Sequence, residues 1–273
     1  MTQLPRPATA GGQAGLDALL ADPRRALIAT DFDGTLAPIV PDPQAARPHP
    51  EAVPLLATLA KAVGTLAVIT GRPAADAVTL GGFDAVPGII VLGHYGGERW
   101  QDGKLTVPPP SQAVQAARDA LPGVLAAAPA GTWAEDKSYA LAVHTRRTAD
   151  PEAALRALRG PLGDLAARVG LTIEPGRLVI ELRPPGVDKG TALTALVGER
   201  AALSVMFCGD DLGDLPAFAA VRALRSQGIP GCAVASASAE SPQVAAAADL
   251  VVPGPDGIVA LLTAIAAALG VSP

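Results

Sequence analysis

The sequence predicts an α/β fold: a doubly wound, mostly parallel sheet with a smaller α+β domain set into it. Short apolar runs without polar alternation recur at 26–30, 65–70, 89–92, 203–208, 233–235 and 250–252, the pattern of strands buried on both faces. Stretches of helical length, 51–62, 189–198 and 215–225, lie between them and supply the covering layers. After the third run the alternation breaks for about 80 residues, too long for a crossover inside a compact domain, so an inserted domain is the simpler account.

In chain order, the first 14 residues, rich in Pro, Gly and Ala, are expected to be poorly ordered. Residues 1–106 carry the first three strands. The insert, 107–186, is bounded by Val107-Pro108-Pro109-Pro110 and Pro184-Pro185-Gly186, where fixed φ angles and missing donors disfavour regular structure. Inside it, 132–136, 139–146, 172–174 and 178–183 read as strands. Residues 114–128 and 151–169 read as helices, the first with a break at Pro122-Gly123. Residues 187–273 complete the larger domain.

With 49% hydrophobic residues the 273-residue chain can build a sizeable core, and its formal charge of -5 argues against a general affinity for nucleic acid or anionic lipid. The longest apolar stretch, 258–271, is shorter than the roughly 20 residues a spanning helix needs, and no signal-peptide pattern opens the chain. Cys208 and Cys232 are too few for a disulfide framework. The expectation is a cytoplasmic monomer that meets small molecules, with neither nucleic acid nor membrane as partner.

Chemistry-bearing residues gather at strand ends, where an open α/β sheet places its ligand crevice. The first strand runs into Asp31-Phe32-Asp33-Gly34-Thr35-Leu36, two acids on one side of an extended segment. The second runs into Thr70-Gly71-Arg72-Pro73, a hydroxyl next to a glycine that lets backbone approach an anion. Lys189 opens a helix after the insert, and Gly209-Asp210-Asp211-Leu212-Gly213-Asp214 follows the fourth strand.

Acid pair, hydroxyl, cation and acid cluster in this order resemble the haloacid-dehalogenase superfamily of phosphotransferases. That resemblance implies Asp31 as nucleophile, Asp33 as general acid and base, Thr70 as hydrogen-bond partner of the transferring phosphoryl group and Lys189 as its neutralising charge. It also implies a Mg²⁺ site of Asp31, the Asp33 carbonyl and Asp210, with Asp214 either ligating or orienting Asp210. The chemistry asks for these types: a carboxylate attacks a phosphate dianion only where positive charge offsets repulsion, and Mg²⁺ prefers oxygen ligands.

The insert's position, with Gly93-His94-Tyr95-Gly96-Gly97-Glu98, Glu135-Asp136-Lys137, Ala142-Val143-His144-Thr145-Arg146 and Val179-Ile180-Glu181-Leu182-Arg183-Pro184, resembles the trehalose-6-phosphate phosphatase family. That likeness implies hydrolysis of trehalose 6-phosphate through an aspartyl-phosphate. Gly71, Arg72, His94, Glu135, Lys137, Arg146 and Glu181 are then the substrate-binding set, the last four of these gripping sugar hydroxyls. Gly213 and Leu215 depart from the family's usual Thr and Glu, and His94-Tyr95 reverses the middle of its usual loop. A phosphatase for sucrose 6-phosphate or mannosyl-3-phosphoglycerate, a sugar phosphomutase and a non-catalytic sensor are the alternatives.

Overall fold

The computed structural model describes residues 4–176, 178–237 and 242–271. The chain forms two compact units, Met1–Thr106 with Asp188–Pro273, and Val107–Val187. The first segment contains α1 (Ala10–Ala21), β1 (Ala26–Thr30), α2 (Ala52–Leu59), β2 (Thr65–Ile69), α3 (Ala74–Gly81), β3 (Ile90–Gly93), β4 (Glu98–Gln101) and β5 (Lys104–Thr106). The second unit contains α4 (Gln112–Leu125), β6 (Trp133–Asp136), β7 (Leu141–His144), α5 (Pro151–Val169), β8 (Thr172–Gly176) and β9 (Val179–Arg183). The chain then returns through α6 (Lys189–Glu199), β10 (Ser204–Gly209), α7 (Leu215–Ser226), β11 (Gly231–Ser236), α8 (Pro242–Ala247), β12 (Leu250–Val252) and α9 (Gly254–Ala268).

The first unit is built on an eight-stranded sheet of order β12-β11-β10-β1-β2-β3-β4-β5, parallel from β12 to β3 and antiparallel beyond it. Ile28, Val68, Val91, Met206 and Val234 pack in one core with Leu16 of α1, Leu55 of α2, Val78 of α3 and Leu262 of α9. Their strand neighbours Leu27, Ala29, Ala67, Phe207 and Ala233 pack in another with Leu193 of α6 and Phe218 of α7. Two apolar faces explain why the strand runs show no alternation. From β1 the chain goes on to β2 on one side and later returns as β10 on the other. The carboxyl ends of these strands therefore meet at a switch point.

The second unit is a four-stranded antiparallel sheet, β6-β7-β9-β8. Val143, Leu141, Ile180 and Leu182 share a core with Val114, Ala117 and Leu121 of α4 and Leu158, Leu162 and Leu165 of α5. Glu135, Ala142, Glu181 and Glu174 are register partners across the sheet, as are Trp133, His144 and Val179, so these residues occupy the opposite face.

Three expectations are corrected. Residues 10–14 belong to a helix, α1, whose first turn is capped by Thr9 accepting from Gly12 N–H at 3.0 Å. The expected break at Pro122 is absent, and the Ala126 N–H reaches the Pro122 carbonyl at 3.0 Å. Proline forfeits one helical bond there, while buried Val114, Ala117 and Leu121 hold both halves of α4 against the sheet. The hairpin of β4 and β5 extends the sheet where no strand was expected, because its residues are mostly polar. Among the described residues no helix is long and apolar enough to cross a membrane. Cys208 and Cys232 are free thiols, both buried.

Candidate active site

Asp31 leaves β1 still in register, its N–H donating to the Cys208 carbonyl at 2.8 Å. The chain then turns at Gly34, whose φ is 72° and whose N–H donates to the Ala37 carbonyl at 2.7 Å. A side chain at Gly34 would be strained by that φ and would place its Cβ 1.9 Å from Asp210 Oδ2, so glycine is what lets the two loops meet. Thr35, the next residue, donates its hydroxyl to Asp210 Oδ1 at 3.2 Å. Sequence reading missed Thr35; its place in the Asp-x-Asp-Gly-Thr run is the signal that would have found it.

Lys189 starts α6, with Asp188 capping that helix through the Thr191 N–H at 2.8 Å. Its ammonium lies 2.9 Å from Asp31 Oδ2 and donates to Asp214 Oδ1 at 2.7 Å. The other Asp214 oxygen accepts from the N–H groups of Asp210 and Asp211 at 2.9 and 3.1 Å. Both Asp214 oxygens are thus engaged, whereas the buried Oδ1 of Asp31 accepts no hydrogen bond from any of the described residues. Asp211 is exposed and caps the short turn that follows by accepting from Gly213 N–H at 2.9 Å.

Burial pushes the Asp31 carboxyl well above the ordinary range; Lys189 opposes that rise, and Asp214, Asp210 and Asp211 add to it. Asp210 is pushed up to about 7 by burial and by Asp214 and Asp211. Burial works against the Lys189 charge, but Asp214, Asp31 and Asp211 raise it above the usual lysine value. Three acids face one lysine, a surplus of negative charge in a dry site.

That surplus is what a divalent cation would relieve. One carboxylate oxygen from each of Asp31, Asp210 and Asp214 lies within 4.8 Å of the others, all three residues are buried, and the donor set is entirely oxygen. These residues suit a hard divalent ion.

After β2, buried Thr70 donates its N–H to the Leu92 carbonyl at 2.9 Å and accepts from Arg72 N–H through Oγ1 at 3.2 Å. The Thr70 hydroxyl proton remains to be donated. Arg72 closes on Asp33 with two 2.6 Å hydrogen bonds, Nε to Oδ2 and Nη2 to Oδ1, and stacks over Phe32 at 5.4 Å. Hydrogen bonding to Asp33 raises the arginine above its usual value. Sequence reading placed Arg72 with the substrate and did not foresee this pair.

The 93–98 loop braces that segment. His94 and Tyr95 both take left-handed φ values, 51° and 61°, and donate their N–H groups to the Arg72 and Thr70 carbonyls at 2.8 and 2.9 Å. A Cβ at Gly71 would lie 2.8 Å from the Tyr95 hydroxyl oxygen. Buried His94 sits 3.6 Å from Glu98, whose other oxygen accepts from Ala74 N–H at the start of α3.

In the second unit, Glu135 Oε2 lies 2.9 Å from His144 Nε2, and Lys137 Nζ is 3.5 Å from buried Glu181 Oε1. The turn carrying Lys137 is pinned by Arg118, which donates to Asp136 at 2.6 and 2.9 Å and to the Ser138 carbonyl at 3.2 Å. Arg146 is exposed just beyond β7 and is not drawn into either pair. Trp133 stacks on His144 at 4.0 Å with 7° between the rings, an association sequence reading did not foresee.

Residues 29–255 match the family model of trehalose-phosphatase. A trehalose-phosphate phosphatase of Mycobacterium avium is 35% identical over 257 residues, covering 84% of this chain and 59% of the relative. One of Mycobacterium leprae is 34% identical over 226 residues, 76% of this chain and 50% of the relative, so the chain spans little more than half the length of these relatives. Among solved structures, trehalose-6-phosphate phosphatase of Aspergillus fumigatus superposes with a TM-score of 0.70 at 26% identity over 96% of this chain and 98% of that one. The C-terminal domain of the Candida albicans enzyme gives 0.71 at 22% identity over 98% and 99%, a likeness of fold. The site at the ends of β1, β2 and β10 thus stands on a haloacid-dehalogenase-like fold, and the chain belongs to the trehalose-phosphatase family.

Proposed function

We propose that this protein hydrolyses trehalose 6-phosphate to trehalose and phosphate, with Asp31 as nucleophile. The observation that carries the reading is the lysine clamp: Lys189 fixes Asp31 Oδ2 and leaves Oδ1 without a hydrogen-bond partner among the described residues. Asp31, Asp210 and the Asp33 carbonyl would hold Mg²⁺, which when bound supplies positive charge against the phosphate oxygens. Asp214, its oxygens already taken, holds Lys189 and the 210–211 backbone in place.

Asp31 Oδ1 bonds to phosphorus as the sugar oxygen leaves with a proton from Asp33. Asp33 then takes a proton from water as the water oxygen bonds to phosphorus and displaces Asp31, restoring the Asp31 carboxylate and the Asp33 acid. The Thr70 hydroxyl donates to a phosphoryl oxygen. Because both Asp33 oxygens are held by Arg72, the pair must open before Asp33 reaches the leaving oxygen, and the freed guanidinium can then meet the phosphate. Glu135, Lys137, Arg146 and Glu181 supply charged partners for sugar hydroxyls.

Phosphate release from a panel of trehalose, sucrose and other sugar phosphates, with and without EDTA, tests the substrate and the metal together. Turnover of trehalose 6-phosphate that chelation abolishes and Mg²⁺ restores is the expected result. Asp31→Asn, nearly isosteric, is expected to retain under about a hundredth of the rate, a loss above ~2.7 kcal/mol. Activity beyond that would remove Asp31 from its role.

A further inference from the structure

We infer that His144 is a positioning residue for sugar recognition, its imidazole lying flat on Trp133 and holding the Glu135 carboxylate in one orientation. The inference rests on the reading of Glu135 as a sugar-binding group. Trp133 and His144 are register partners on β6 and β7, and Glu135 follows two residues after Trp133, so all three project from the face of the sheet opposite α4 and α5. The 4.0 Å centroid separation and 7° angle fix the plane of the imidazole against the indole. The guanidinium of Arg147 lies 5.1 Å from the indole centroid, so a cation also rests against that ring. With the plane set, Nε2 points at Glu135 Oε2 from 2.9 Å. Glu181, paired with Lys137, lies on the same face, one strand beyond Ala142, the register partner of Glu135.

A carboxylate held by one oxygen meets a hydroxyl without first giving up its rotamers, and that selects for a leaving group with hydroxyls to offer. A sugar phosphate would gain from this and an aryl phosphate would not. Packing alone would not need the histidine nitrogen, because any flat ring of similar size would serve Trp133.

Two substitutions at one position separate these roles. His144→Phe keeps a flat ring against Trp133 but lacks the nitrogen, and His144→Gln keeps a side-chain donor but lacks the ring. In the full chain, His144→Phe is expected to raise KM for trehalose 6-phosphate about tenfold, ~1.4 kcal/mol. Its loss on p-nitrophenyl phosphate should be at least about fivefold smaller, and His144→Gln should recover most of the sugar-phosphate KM. In a Glu135→Gln background the His144→Phe effect should vanish. An unchanged KM for His144→Phe, equal losses on the two substrates, or a full effect that persists without the Glu135 carboxylate each overturns the inference. In those cases wild-type turnover of trehalose 6-phosphate still stands; if the wild type releases no phosphate from any sugar phosphate, the proposed function fails and this inference falls with it.

Discussion

Asp210 shows how a single residue couples the site to pH. In the folded chain burial and two neighbouring acids push it up to about 7, against 3.8 for an ordinary aspartate. Between those values the unfolded chain has lost the proton that the folded chain keeps. The contribution of Asp210 to the stability of the metal-free protein therefore falls as pH rises from about 4 to 7 and is level above that, by at most about 4 kcal/mol at 1.36 kcal/mol per unit. Asp210→Asn removes the charge that must be buried, so the metal-free variant is expected to melt above wild type at pH 8, the difference closing towards pH 4. Calorimetry in EDTA reads this directly, and a variant melting below wild type at pH 8 would contradict it. A divalent ion offsets the same charge, so Mg²⁺ should raise the wild-type Tm more at pH 8 than at pH 5.

Helix α1 carries the argument at the level of elements. Its glycines make the amino-terminal stretch read as pliable, yet a Cβ at Gly15 would stand 2.1 Å from the Gly231 carbonyl carbon, so the helix lies directly on β11. Asp249 ties the start of this segment down: its side chain accepts from Thr9, from Arg225 and from Ala233 N–H, and its carbonyl accepts from Ala8 N–H at 2.6 Å. Gly15→Val is expected to cost roughly 1–3 kcal/mol, as overpacking does, and to lower Tm without changing the dependence of phosphate release on Mg²⁺. An unchanged Tm would mean that the helix does not sit there. The contrast with β1, β2 and β10 is instructive. Their unbroken apolar runs are legible because burial on two faces leaves no room for polar residues. The glycines of α1 serve a close approach that only the partner strand reveals, and the polar β4–β5 hairpin at the sheet edge carries little hydrophobic signal. The same divide runs through the site. Asp31, Asp210 and Lys189 stand at strand and helix ends, where fold class already places chemistry. The partners Arg72–Asp33 and Trp133–His144 depend on side-chain directions that spacing does not encode.

In the proposed reading, chemistry and selectivity divide between the two units. The acids, Lys189 and Thr70 stand on the eight-stranded unit. Glu135, Lys137 and Glu181 stand on the four-stranded unit, which has an apolar core of its own around Leu158, Leu162 and Ile180. If the second unit supplies sugar recognition, removing one of its charged groups should cost energy that a small aryl ester never drew on. Glu181 is the sharper probe, because it is buried and paired with Lys137, so its loss strands a cation and removes a hydrogen-bond acceptor. Glu181→Ala is therefore expected to lower kcat/KM for trehalose 6-phosphate ten- to a hundredfold, ~1.4–2.7 kcal/mol, and hydrolysis of p-nitrophenyl phosphate much less. Part of the loss can fall on kcat, since contacts to the non-reacting sugar are able to drive conformational closure over the phosphate. Hydrogen exchange separates this from general damage: amides of β1, β2 and β10 should keep wild-type protection in the variant. Equal losses on both substrates, or lost protection in those strands, would show that Glu181 supports the fold rather than the sugar.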